Sequence, residues 1–120
     1  MIWRDGMNIR RGGCYLAALD PVIGREISKT RPVVIVSNNK NNEFSETVTI
    51  LPATSKHIKG IYPFEVLLTK GTGNLPKDSK VKADQIRTLD KSRIVKFIGI
   101  LEREKMDQID KAVKIHSALF

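Results

Sequence analysis

The chain has 120 residues, 41% of them hydrophobic, enough for one domain (1–120) with a modest core. Its 21 Lys and Arg against 13 Asp and Glu leave a formal charge of +8, which favours a polyanionic partner. The single cysteine, Cys14, excludes an internal disulfide and a cysteine-based zinc site, and no apolar run approaches the ~20 residues that cross a bilayer. The stretch from Met1 to Arg11 is charged and lacks the apolar centre of a signal peptide, so a reducing, cytoplasmic setting without membrane contact is expected. Met1 to Gly6 shows no periodicity. Residues 1–9 are therefore expected to form a loosely ordered extension, with Met7 as an alternative start.

In chain order, Cys14 to Leu19 reads as a strand on which Cys14, Leu16 and Ala18 share a face, and Cys14 is most simply core. Asp20 to Lys29 is a loop of about ten residues, long enough in a small β domain to suspect function. Pro32 to Ser37 is the second strand, opened by an Arg-Pro pair because proline is tolerated at strand starts. Asn38 to Asn42 predicts a turn. Thr47 to Leu51, Pro63 to Leu68 and Ser79 to Ile86 are the next three strands, with a turn at Lys70 to Asn74. Arg93 to Leu101, largely apolar, is expected at the centre of the sheet. After Leu101 the period changes: Met106, Ile109, Val113 and His116 recur at helical spacing, with acidic residues opening the helix and lysines closing it. The fold class is mainly β with a C-terminal helix, a small antiparallel barrel or strongly coiled sheet.

Two segments carry the chemistry. Lys29-Thr30-Arg31-Pro32 places a guanidinium at a strand entrance, and Leu51-Pro52-Ala53-Thr54-Ser55-Lys56 places two hydroxyls and an ammonium at a strand exit. Held together, these groups make a small cationic pocket suited to phosphate. The competing reading of Arg31 is a solvated residue flanking a strand, and that of Thr54 and Ser55 is a turn hydroxyl bonding its own backbone. Gln85 as a reader of base edges competes with an ordinary strand-exit amide, and Arg87 as a phosphate ligand competes with a pair to Asp84 or Asp90. His57 lies three residues past Thr54 in a Lys56-His57-Ile58-Lys59 loop. The other histidine, His116, is on the apolar stripe of the helix, so a two-histidine mechanism is not expected. No carboxylate or histidine cluster has metal-site spacing, and no metal or cofactor is expected.

The chain resembles the MazF/PemK (Kid) family of toxin endoribonucleases. The resemblance rests on Arg11-Gly12, Leu19-Asp20-Pro21, Gly24, Lys29 to Val34, Pro52 to Lys56, Lys59-Gly60, Tyr62 to Val66 and Ala83 to Asp90, in the family's order across roughly Arg10 to Leu119. Gly13, where the family often has an acid, and Cys14 depart from it. The resemblance implies the fold shared by CcdB and MazF, a homodimer, and sequence-specific cleavage of single-stranded RNA such as mRNA without metal. It further implies a cognate antitoxin whose acidic, partly disordered tail suits a basic groove. Arg31 falls at the family's catalytic arginine and Thr54 at its catalytic threonine. Ser55, Lys56, Gln85, Arg87 and Lys29 are the candidate RNA contacts.

In such a reaction the RNA's own 2′-hydroxyl attacks the adjacent phosphorus in line, leaving a 2′,3′-cyclic phosphate and a 5′-hydroxyl. Preorganised donors to the phosphorane oxygens are worth about 2.7–4 kcal/mol each. Arginine, with a pKa of about 12.5 or more, is a poor base. Arg31 is accordingly read as an electrostatic stabiliser, with proton donation to the leaving 5′-oxygen as its second candidate role; the base stays unassigned. One rival is a non-catalytic single-stranded RNA binder, against which stands the lack of an evident stacking platform among seven aromatics. The other is a CcdB-like topoisomerase poison, in which Arg31 and Thr54 would have no task.

Overall fold

Two stretches of alternating side chains form the centre of the sheet: β1 (Gly13–Ala18) and β2 (Thr30–Ile35) run antiparallel, with Cys14 opposite Val34 and Ala17 opposite Arg31. The computed structural model describes residues 8–21, 23–27 and 29–119. The extension expected over 1–9 lies outside the described residues through Met7; Ile9, at its end, is packed into the core. Beyond β2 lies β3 (Thr47–Thr54), with Val33 opposite Pro52. The far side of β3 carries β6 (Arg87–Asp90) along Thr47 to Ile50 and β5 (Ser79–Lys82) along Ala53 and Thr54. Pro52 falls between these two ladders, a position that tolerates a residue without an N–H. β4 (Glu65–Leu68) pairs with β5, and β7 (Ile94–Ile100) with β1.

The sheet order is β4-β5-β3-β2-β1-β7, with β6 beside β3. Among the described residues no ladder joins β7 back to β4, so the sheet coils without closing. Two clusters occupy its two faces. Val34, Leu51, Val81 and Cys14 pack with Met106, Ile109 and Ala112 of α2 (Arg103–Ser117). Val33, Ile50, Tyr15, Ala17 and Leu89 pack together on the other face. Period-two alternation with both faces buried is what makes β1, β2 and β3 central. Gly13 is needed here: a Cβ on it would lie 2.5 Å from the Tyr15 ring, which folds back over the strand start.

Four expectations need correction. The asparagine run is not a bare turn but a short helix, α1 (Asn39–Phe44), because Asn38 caps it by accepting from the Asn41 N–H at 2.8 Å. The buried Asn42 secures it, donating to the Ser37 carbonyl at 2.8 Å. The strand expected over Ser79 to Ile86 breaks at a 3-10 turn, Ala83–Gln85, and resumes as β6 against a different part of β3. The apolar strand β7 lies at the sheet's edge rather than its centre. On α2 the buried stripe runs through Ala112, Val113 is half-buried, and His116 is exposed. Among the described residues no helix is long and apolar enough to cross a membrane.

Candidate active site

The β2–β3 register pairs residues whose numbers run in step: Ile35 with Ile50, Val34 with Leu51, Val33 with Pro52. Arg31 on β2 and Thr54 on β3 each lie two residues beyond the last of these pairs. Thr54 is in turn opposite Lys80 on β5, and Arg31 is opposite Ala17 on β1. Directly opposed residues project to the same face. Thr54 and Lys80 therefore stand in one cross-strand row, about 5 Å apart, with Arg31 at the adjoining end of β2. Arg31 and Thr54 are both half-buried. The Thr54 hydroxyl oxygen accepts the Lys56 N–H at 3.2 Å, the local turn bond anticipated from its position. That bond uses an acceptor site and leaves the hydroxyl proton as a donor. Ser55 and Lys56 follow as exposed residues of the same turn, and His57 adopts a left-handed backbone at φ 55°.

One end of this row is bounded by the loop between β1 and β2, and side chains from the β6 region hold it. Gln85 accepts the Ile27 N–H at 3.3 Å, and Arg87 donates to the Leu19 carbonyl at 3.2 Å. Arg93 donates to the Ala18 carbonyl at 3.3 Å and also to that of Asp20. The loop closes on itself where the Leu19 N–H donates to the Lys29 carbonyl and the Lys29 N–H to the Asp20 carboxylate. Lys29 is exposed and left-handed at φ 68°. Gln85 and Arg87 thus have a structural task in anchoring the loop, and Asp84 is 3.7 Å from Lys82.

At the other end lies a buried charge cluster with no local signature. The Glu65 side chain is fully buried and receives Lys80 at 3.1 Å, Lys82 at 2.5 Å and the Tyr62 N–H at 3.0 Å. Burial pushes its carboxyl up, but the bonds from Lys82, Tyr62 and Lys80 together outweigh this and hold its pKa below the usual value. The chain crossing above this cluster, from His57 to Tyr62, borders with Lys80 an open hollow of about 880 Å³. Beside it the Tyr62 and Phe64 rings stack parallel and offset, centroids 5.4 Å apart and 2° from parallel. The seven aromatics thus include one stacked pair whose Tyr62 member is exposed. Sequence spacing could not reveal Glu65 and Lys80, which are fifteen residues apart and meet only through the β4–β5 ladder.

Cys14 is unsuited to nucleophilic work: burial pushes its thiol up to about 12. Among the described residues no three His, Cys, Asp or Glu side chains are grouped so that they could hold a metal ion.

Residues 10–117 match the family model described as PemK-like, MazF-like toxin of type II toxin–antitoxin system. Among solved structures, the chain is similar to an endoribonuclease in complex with its cognate antitoxin from a mycobacterial species. Identity there is 25% and the TM-score 0.77, over 93% of this chain and 97% of that one. It is also similar to MazF from Deinococcus radiodurans, at 25% identity and a TM-score of 0.79, over 92% and 96% of the two chains.

Proposed function

Because the chain belongs to the PemK-like, MazF-like toxins of type II toxin–antitoxin systems, we propose that it is a sequence-specific endoribonuclease cutting single-stranded RNA, with Arg31 and Thr54 at the reacting phosphate. The observation that carries this reading is that Arg31 and Thr54 sit on adjacent antiparallel strands, each two residues beyond the last β2–β3 pair, Val33 with Pro52. Similarity to an endoribonuclease bound to its cognate antitoxin supports both the activity and an antitoxin partner.

The step proposed is attack of the 2′-oxygen on the adjacent phosphorus with loss of its proton. The bond from phosphorus to the 5′-oxygen breaks, and that oxygen takes up a proton. Negative charge develops on the two non-bridging oxygens. Arg31 offers a planar cation with several donors to them, and Thr54 adds a hydroxyl proton. The compensating charge thus comes from side chains, and the reaction is proposed to need no metal ion. Ser55, Lys56 and Lys29, exposed around the row, are proposed to hold flanking phosphates, whereas Gln85 and Arg87 act at least by anchoring the β1–β2 loop over the site. Two copies are proposed to associate through the edge strand β7, where Val95, Phe97 and Ile100 are exposed.

The test is incubation with a long unstructured RNA in excess EDTA, followed by analysis of the fragment ends. Cleavage that persists and leaves 2′,3′-cyclic phosphate and 5′-hydroxyl ends is expected. A magnesium requirement, or 5′-phosphate ends, would overturn the mechanism; intact RNA under every condition would overturn the activity.

A further inference from the structure

Among the described residues Tyr62 is the one Phe, Tyr or Trp lining the hollow described above, and its environment suits a flat ligand. Tyr62 is 61% exposed and its ring lies 2° from parallel to that of Phe64 in an offset stack, so one face is partly supported while the residue remains open to solvent. Its backbone is pinned as well, because the Tyr62 N–H donates to the buried Glu65 carboxylate and the Tyr62 carbonyl accepts the Glu65 N–H at 2.9 Å. A supported, oriented ring loses little freedom when a second flat group stacks on it. Lys59 and Lys80 line the same hollow, which at about 880 Å³ has room for a nucleotide. Lys80 is also the β5 residue directly opposite Thr54, so the hollow adjoins the proposed cleavage row.

We propose that the hollow between Tyr62 and Lys80 is a nucleotide subsite, in which the base flanking the scissile phosphate stacks on Tyr62. This rests on the endoribonuclease reading and adds a binding element to it. Stacking uses the π-face that every base has, so the subsite contributes affinity at one position without demanding a particular base there. Base identity is then left to the contacts around the β1–β2 loop.

The experiment uses the full chain and RNA oligonucleotides spanning a mapped cleavage site, with a 2′-deoxy nucleotide at that site so that they bind without being cut. Abasic residues are introduced one at a time at flanking positions, and affinity is read by fluorescence anisotropy for wild type, Tyr62→Leu and Tyr62→Phe. Leucine keeps an apolar cover over Phe64 but has no π-face; phenylalanine keeps the face and loses only the hydroxyl. Tyr62→Leu is expected to weaken binding at least about fivefold, the lower end of what one stacked base contributes, with Tyr62→Phe within about twofold of wild type. One abasic position should weaken binding to wild type by a similar factor and have no further effect on Tyr62→Leu, the non-additivity of two groups that touch. The platform is overturned if Tyr62→Leu binds like wild type, or if its loss adds to the penalty at every abasic position, as a merely structural defect would. A wild-type protein that neither binds nor cuts RNA overturns the endoribonuclease reading instead.

Discussion

Glu65 holds two ammonium groups on one buried carboxylate, an arrangement that is stable only while all three charges are present. Its carboxyl is held below its usual value of 4.5, so its contribution to stability is complete above that pH and is lost as pH falls through the lower folded value. Glu65→Gln leaves Lys80 buried without its counter-charge and should destabilise the fold by about 3 kcal/mol at neutral pH. Urea unfolding over a pH series downward from pH 7 checks this: the gap between variant and wild type should be wide at pH 7 and narrow as the pH falls through the lowered folded value. In the proposed reaction Arg31 belongs to the other class of residue, one needed more in the transition state than in the ground state. Arg31→Ala should lower the cleavage rate at least ~100-fold while weakening RNA binding much less. Thr54→Ala should act in the same direction more mildly, since a neutral donor is a weaker partner for a phosphoryl oxygen. His57→Ala, in an exposed turn, should stay within about tenfold; loss of cleavage there with Arg31→Ala spared would overturn the assignment.

At the scale of elements, β7 shows how an apolar run misleads. Its residues Ile94, Val95, Phe97, Ile98 and Ile100 read as a central strand, because burial on both faces is the usual reason for such a run. Among the described residues it pairs with β1 alone, and Val95 and Ile100 are 53% and 64% exposed. An exposed apolar edge strand is a template for another chain, and a second copy is the partner proposed. Light scattering at micromolar concentration should return twice the chain mass of 13.5 kDa. Val95→Glu combined with Ile100→Glu should return the single mass with an unchanged circular dichroism spectrum. A monomeric wild type would refute the dimer. The loop between β1 and β2 makes a complementary point: its length was readable as a sign of function, but its anchoring by Gln85, Arg87 and Arg93 required residues 58 to 75 positions away to arrive beside it.

For the whole molecule, a formal charge of +8 on 120 residues is a statement about partners rather than about fold. If about five phosphates are held in the proposed complex, log K for single-stranded RNA against log[salt] should slope near −3.5, at ~0.7 per phosphate. Filter binding between low and physiological salt measures it. A flat line would mean that the excess charge serves something other than RNA. The coiled sheet supports such a surface because β1, β2 and β3 are buried on both faces and leave their ends, not their faces, to carry polar groups.

The sequence by itself determined the mainly β class, the C-terminal helix, the family, and the two segments bearing Arg31 and Thr54. Each of these depends on neighbours within a few positions: period two or 3.6, a proline at a strand entrance, hydroxyls at a strand exit. Only the tertiary structure decided that β5 and β6 are separate strands, that β7 is an edge, that Glu65 gathers Lys80 and Lys82, and that Tyr62 stacks on Phe64 beside Lys80. The reason is the range of the forces involved. Local pattern specifies which face of an element is apolar, but pairing register and the meeting of distant side chains follow from how all the faces are buried at once.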